Sequence, residues 1–422
     1  MTAAPTPDVA ILAIAALSIL GVIARPWNIP EALWSVLGAA ALVLLSLMSI
    51  AEAWTAILKG TDVYLFLVGM MLLAELARRE GLFDWLAAAA VRRAAGSAQR
   101  LFGLVFAVGT FVTVFLSNDA TAVVLTPAVY AATKQARVEP LPYLFICAFV
   151  ANAASFVLPI SNPANLVVYG AHIPSLWSWL REFGVASLLS IGMTYLLLRF
   201  TQRAELRREV AGQSALAPLA PGGRLAAAGI VATATVLLAA SSLDWPLGLP
   251  TFMAGAGTGA VIHGLNRDPP WQLLKGLSWS ILPLVAGLFV LVGGIEHTGM
   301  LTPLVRELAA ASASAPDTTA LVVAGAAAVA CNALNNLPLA LLSGTVAGAA
   351  HVSARVTGAI LIGVDLGPNL SVTGSLATIL WLAALRREGR HISAWQFLAL
   401  GVLVMPPALI AALVGYTGLA GR

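Results

Sequence analysis

The sequence predicts an all-α integral membrane fold built as an inverted repeat, with about ten spans, two re-entrant hairpins and two discontinuous helices. Three observations point there. Hydrophobic residues make up 59% of the 422 and charged residues only 10%, where a soluble chain carries about a quarter charged residues. Apolar stretches that reach the ~20 residues needed to cross ~30 Å of hydrocarbon recur along the whole length, with no soluble domain between them. Polar residues then interrupt four of those stretches near their centres.

The apolar blocks fall at about 8–24, 32–50, 61–77, 101–134, 141–170, 177–200, 224–242, 246–264, 279–297, 318–350, 356–384 and 394–417. The first is read as a span and not as a cleaved leader, because residues 1–7 carry no Lys or Arg and a second apolar run follows directly. Blocks 101–134 and 318–350 carry "SNDAT" and "NALNNLP" at their centres, with a half-length helix on either side. They are expected to be re-entrant hairpins. Blocks 141–170 and 356–384 break at "LPISNPAN" and "DLGPNLSVTGS", where Pro and Gly cannot sustain a helix and Asn, Ser and Thr can satisfy the freed backbone groups. These are expected to be discontinuous helices. The polar, Pro- and Gly-bearing stretch 201–223 reads as a cytoplasmic linker.

Basic residues set the threading. With both hairpins returning to their own side and both termini extracytoplasmic, eighteen Lys and Arg fall in the cytoplasm and five outside, namely Lys59, Arg181, Arg306, Arg355 and Arg422. That is the asymmetry of the positive-inside rule, and treating the hairpins as full spans does not improve it. The net charge of +4 therefore marks topology, and no aromatic-interleaved basic patch suggests nucleic acid.

Five crossings per half force the second half into the membrane upside down, which predicts a first repeat at 1–200 and a second at 224–422. "VGMMLLAELARREGLF" at 68–83 resembles "AGLFVLVGGIEHTGML" at 286–301, with Gly69 over Gly287 and Gly81 over Gly299. A shift of 217 places Asn118 and Asp119 on Asn335 and Asn336, and "NAASFVLPISNPAN" at 152–165 lies over "DLGPNLSVTGSLAT" at 365–378.

Two hairpin tips and two broken helices are then expected to converge near the midplane, where helix ends expose unpaired N–H and C=O groups. The candidate binding residues are Asn118, Thr121, Ser161, Asn162, Asn165, Asn335, Asn336, Asn369, Thr373 and Ser375, with Ser371 and Thr378 beside them. Amides and hydroxyls in this pattern suit an uncharged, polyol-like solute, because no Lys or Arg is available in the breaks to neutralise an anion. Asp119 and Asp365 are the only acids there. A carboxylate away from water is penalised in its charged form, which makes both candidate proton carriers. Plainer roles stay open: Asn and Ser often hold membrane helices together, Asp119 can cap the returning arm of its hairpin, and Asp365 can tie down its broken helix.

Elsewhere the pattern is structural. Cys147 and Cys331 are too few and too isolated for a disulfide framework or a metal cluster, and read as packing residues. Glu75, Glu80 and Glu296 lie near span ends and are expected to be solvated or interfacial. Trp27, Trp34, Trp54, Trp177, Trp179, Trp245 and Trp279 lie near block ends, as an aromatic belt does. No zinc-protease His-Glu pattern, phosphate-cradling loop or nucleotide-sized soluble segment appears, so neither an enzyme nor a resident cofactor or metal is expected.

At these residues the sequence resembles the ArsB-type arsenite/antimonite efflux permeases of the ion transporter superfamily. The matching runs are "NDATAVVLTP" (118–127), "SNPANLVV" (161–168), "NNLP" (335–338) and "DLGPNLSVTGSLATILWL" (365–382), supported by "GLFDWLA" (81–87). The resemblance implies an inverted-repeat transporter in the cell (inner) membrane that exports trivalent arsenic and antimony hydroxides in exchange for protons, alone or with a cytoplasmic ATPase subunit. Where that family often carries Lys, Thr and Pro, this chain has Asn369, Ser371 and Val372. The rivals are a sodium- or proton-coupled transporter of another small solute on the same scaffold, such as a dicarboxylate carrier or a Na+/H+ exchanger, then a channel, and last an intramembrane enzyme.

Overall fold

The structure is a computed structural model, and it describes residues 7–170, 173–207, 218–266 and 269–419. Both chain ends and residues 208–217 of the expected linker lie outside the described residues. Among the described residues every regular element is helical.

The first half runs α1 (Pro7–Ala24), α2 (Glu31–Leu44), α3 (Ile50–Lys59), α4 (Thr61–Arg79), α5 (Leu82–Ala94), α6 (Ala98–Phe115), α7 (Asn118–Ala120), a π-turn over Thr121–Leu125, α8 (Thr126–Gln135), α9 (Leu141–Ala153), α10 (Pro163–Tyr169) and α11 (Leu176–Thr201). The second half runs α12 (Pro221–Ser242), α13 (Gly248–Asn266), α14 (Pro270–Gly276), α15 (Ile281–His297), α16 (Thr302–Ser314), α17 (Pro316–Leu334), α18 (Asn336–Ala349), α19 (Ala354–Leu366), α20 (Leu376–Arg387) and α21 (Ala394–Leu419). The order of elements is the same in both. α3 meets α4 at a 49° bend, and α14 meets α15 at the same angle.

Among the described residues six helices, α1, α6, α11, α12, α17 and α21, are long and apolar enough to cross a membrane alone, and the two bent pairs bring the number to eight. Two of the six, α6 and α17, are the entering arms of the hairpins. The ten expected crossings therefore also need the short α2, α13 and the two interrupted segments, α9 with α10 and α19 with α20. Exposed Leu17, Leu37, Val322 and Val402 are apolar side chains with lipid as their solvent.

Packing repeats as well. α4 lies along α13, and α2 lies along α15. Both contacts depend on a missing side chain, since a Cβ on Gly69 would strike the backbone of Thr251 and one on Gly287 would strike the backbone of Ser35. Small residues let helices approach closely in lipid, where dispersion must do what water does elsewhere. These glycines stand 218 apart, one more than the shift read from the Asn pairs. The hairpin caps described next, Ser117 and Asn335, stand at the same spacing as the glycines.

Some side chains depart from the sequence expectation. Trp179 is fully buried and its Nε1 donates to Phe156 O at 3.0 Å, so it belongs to the core and not to an interfacial belt. Glu75 is also buried, held by Arg78 Nε and Nη2 at 2.7 and 2.6 Å. A charge there is tolerated because the guanidinium reaches in along the same helix face. Cys147 and Cys331 are buried and free, as packing residues are.

Candidate functional site

The first hairpin turns at Ser117. Its Oγ accepts the Ala120 N–H at 3.2 Å and so caps the returning arm, which makes Ser117 the cap and not Asp119. Asn118 is buried and its Oδ1 accepts the Asp119 N–H at 2.9 Å. Asp119 itself is half-buried, and no hydrogen bond joins its carboxylate to another described residue. The arm then widens into the π-turn, where Thr121 Oγ1 meets Thr113 Oγ1 at 2.8 Å and Thr126 Oγ1 donates to Thr121 O at 3.3 Å. Single π-turns concentrate at functional sites because they free backbone groups inside a helix.

The first broken helix stops at Ala153 and restarts at Pro163. Pro cannot continue the old helix but can begin a new one, and Asn162 caps that start by accepting the Ala164 N–H at 3.0 Å. Asn165 Nδ2 donates to Ser155 O and Leu158 O at 2.8 and 3.2 Å, satisfying carbonyls that the break sets free. Ser161 Oγ donates to Val114 O at 3.0 Å and ties the break to the first hairpin.

In the second half the cap is Asn335, whose Oδ1 accepts the Leu337 N–H at 3.5 Å and whose Nδ2 donates to Thr373 O at 3.1 Å. It sits at φ 68° and ψ 152°, outside the left-handed helical well, in a region that side-chain-bearing residues rarely enter. The Asn336 N–H donates to Gly374 O at 2.8 Å. Asn332, which the sequence reading passed over, is the hub. Its Nδ2 donates to Gly367 O at 3.1 Å, its Oδ1 accepts from Ser371 Oγ at 2.7 Å, and its carbonyl accepts from Thr373 Oγ1 at 2.8 Å. Ser375 Oγ accepts the Thr378 N–H at 3.1 Å and caps α20.

Two bonds join the broken helices. Asn162 Nδ2 donates to Asp365 Oδ1 at 2.7 Å, and Asn152 Nδ2 donates to Asn369 Oδ1 at 2.9 Å. Asn369 Nδ2 in turn donates to Phe149 O at 3.0 Å. Asn152, Asp365 and Asn369 are wholly buried. Asn152 stands ten residues before Asn162 on the first broken helix, and it too was unremarked in the sequence. Asp365 Oδ2, Asn152 Oδ1 and Asn165 Oδ1 are buried without a partner among the described residues. The packing is crosswise: the tip of the first hairpin lies against α20, and α18 of the second hairpin lies against α10.

Hydrogen bonds thus chain first hairpin to first break, first break to second break, and second break to second hairpin. Asn118, Thr121 and Asp119 reach the cluster by packing, not by a bond across it. A cavity of about 830 Å³ lies beyond it, walled by the far ends of α10 and α18 together with Lys59, Asp62, Asp244, Glu296 and His351. None of the predicted binding residues lines it. The lining on α10 begins at Leu166, so at 1.5 Å per residue the cavity's near wall stands roughly 6 Å along the helix from the cap at Asn162.

Helices that break inside the membrane around a shared buried cluster of amides, hydroxyls and one carboxylate define a membrane transporter. The family model described as citrate transporter (CitMHS) matches residues 13–368, and the chain belongs to that family. It is 26% identical over 395 residues to an uncharacterized transporter of Mycobacterium bovis, covering 89% of this chain and 91% of the relative. It is 25% identical over 429 residues to an arsenical pump membrane protein of Escherichia coli, covering 94% of this chain and 96% of the relative. Among solved structures it resembles the Alcanivorax borkumensis YdaH transporter, with a TM-score of 0.57, 17% identity and coverage of 99% and 98% of the two chains. At that identity the likeness supports the fold alone.

Proposed function

We propose that the protein is a secondary active exporter of trivalent arsenic and antimony hydroxides, exchanging them for protons by alternating access around the buried cluster. The carrying observation is chemical. Four helix starts, capped by Ser117, Asn162, Asn335 and Ser375, surround amides and hydroxyls, and no Lys or Arg is among the buried polar residues described. Arsenous acid is a neutral trihydroxide at physiological pH, so it needs hydrogen-bond partners and no counter-ion. The arsenical pump relatives support the same substrate. Asn118, Thr121, Ser161, Asn162, Asn165, Asn335, Asn336, Asn369, Thr373 and Ser375 are the binding residues in this reading, with Asp119 and Asp365 as proton carriers.

In this reading residues 1–200 and 224–422 are inverted halves joined by a cytoplasmic linker at 201–223, and the protein lies in the cell membrane with both termini outside. Arg-rich loops on the cytoplasmic face are where a partner ATPase would dock. Counterflow of labelled arsenite in membrane vesicles, with and without a proton gradient, tests the proposal. Asn118→Ala, Asn335→Ala and Asn336→Ala are expected to abolish counterflow. Unchanged efflux in all three would remove recognition through the hydroxyls.

A second reading has its own support. Four helix N-termini carry partial positive charge and favour an anion, so a sodium- or proton-coupled carboxylate carrier fits the helix ends and the family description. Sodium-dependent uptake of a di- or tricarboxylate, with no arsenite counterflow, would establish it in place of the first.

A further inference from the structure

The entering arm of the first hairpin has an open flank. α6 and α11 both pack on α9, and between them runs a groove of about 590 Å³. The two helices are antiparallel, since Gln99 meets Arg199 and, four residues further along each, Gly103 faces Tyr195. Gly103, Ala107 and Gly192 leave the trough, and Phe106, Phe111 and Ile191 wall it. A Cβ on Gly192 would meet nothing within 4 Å. Phe111, Leu188 and Leu196 are exposed on the same two helices, so the groove faces lipid.

Polarity is confined to one end. In the body of the groove the one hydroxyl, on Thr110, is already bonded to Phe106 O at 2.9 Å, and a polar solute finds no other group there. At the mouth Arg199 reaches from α11 to α6, where its Nη2 donates to Gln99 Oε1 at 3.1 Å and its Nη1 to the Tyr195 hydroxyl at 3.5 Å. Arg203 follows, with its guanidinium over the Phe200 ring at 4.5 Å, and Arg100 adjoins Gln99. All three arginines are exposed, and none has a carboxylate partner among the described residues. Glu205, the acid nearest Arg203 in sequence, lies in a separate small pocket with Arg137 and Tyr143.

We propose that this groove is a specific site for an anionic phospholipid, with one acyl chain laid between α6 and α11 and the headgroup held at Arg199 and Arg203. Length fits a single leaflet. The run from Gly103 to Phe115 spans roughly 18 Å at 1.5 Å per residue, a little over half of a ~30 Å hydrocarbon core. Charge then selects the headgroup, because a zwitterionic lipid offers the same phosphate but brings a cation of its own, which the arginines repel. The groove ends at Val114 and Phe115, just before the Ser117 cap, and Val114 O is the acceptor for Ser161 of the first break. A chain seated there braces the arm on its lipid side up to the hairpin tip, whatever solute the protein carries.

Native mass spectrometry of the purified full-length protein tests this, after delipidation in detergent and titration with phosphatidylglycerol or phosphatidylcholine of identical acyl chains. Two arginines at the headgroup predict a roughly 30-fold preference for phosphatidylglycerol in the wild type. Arg199→Gln/Arg203→Gln is expected to bring that preference close to even. Gly192→Leu places a side chain in open space within the trough and is expected to abolish retention of both lipids. Equal retention of the two lipids by the wild type, or unchanged retention in Gly192→Leu, overturns the proposal. Should Gly192→Leu not fold, the headgroup preference and its loss in the arginine variant decide alone.

Discussion

Cutting the two bonds between the broken helices, one partner at a time, should report both their strength and the charge on Asp365. In Asn369→Ala the Asn152 amide keeps only a marginal 3.5 Å contact with Ala148 O. Its Oδ1 is already without a partner. An orphaned buried polar group costs about 1–3 kcal/mol, and the truncated side chain adds a small cavity, so a single-mutant loss of about 2–4 kcal/mol is expected. In Asn152→Ala/Asn369→Ala neither orphan remains. The coupling energy between the two is expected near the upper end of the ~0.6–1.7 kcal/mol measured for hydrogen bonds in lipid, because both side chains are wholly buried and water cannot substitute. The Asn162/Asp365 cycle then separates two cases. If Asp365 is neutral, its coupling should match the Asn pair. If it is a carboxylate, removing Asn162 strands a buried charge and should cost about 3–5 kcal/mol. Equilibrium unfolding in mixed micelles, followed by circular dichroism, supplies all the values. Couplings below about 0.3 kcal/mol in both cycles would fall within ordinary additivity and refute the idea that these bonds join the halves.

Other expectations follow from named contacts. Gly69→Val and Gly287→Val should each lower the thermal midpoint clearly, costing about 1–3 kcal/mol by overpacking, since the obstacle is backbone and cannot move aside; Gly257→Val, with open space around its Cβ, is the control. Asn335→Gly should be close to neutral in stability, because relief at φ 68° offsets the lost cap, whereas Asn335→Ala should lose about 1 kcal/mol or more in the same melt. Asp119→Asn and Asp365→Asn should differ from wild type in vesicle efflux, with at least one losing its dependence on the pH gradient. Retention of that dependence in both would move proton coupling elsewhere.

Much of the fold was legible because lipid imposes it. A polar "SNDAT" or "LPISNPAN" inside an apolar run has few places to go, and the structure puts both at helix breaks. Register was harder. Asn118 invited pairing with Asn335, but the residue that does the same job is Ser117, a hydroxyl standing where the other half has an amide. Either side chain accepts an N–H, so chemistry was preserved while identity changed. Asn152 and Asn332 were overlooked for a different reason: each lies inside a helix, where an amide normally bonds its own turn, as Asn332 does to Ala328 O at 2.8 Å, and only the approach of another segment adds the bonds that join the breaks. α5 and α16 escaped the hydropathy reading because their mixed polar and apolar faces blur the average. Trp179 and Glu75 show that nearness to the end of an apolar block does not fix depth, which depends on what packs alongside.

The crosswise seating of each hairpin on the other half's broken helix bears on biogenesis. Asn162 finds Asp365 across 203 residues and Asn152 finds Asn369 across 217. During synthesis the leading half must therefore wait in the bilayer with these amides unsatisfied until the trailing half is inserted. Long-range closure of this kind is slow. The solute pathway should be the last part of the molecule to mature, and a chain interrupted before α19 should be marked for degradation even though its early helices are already in place.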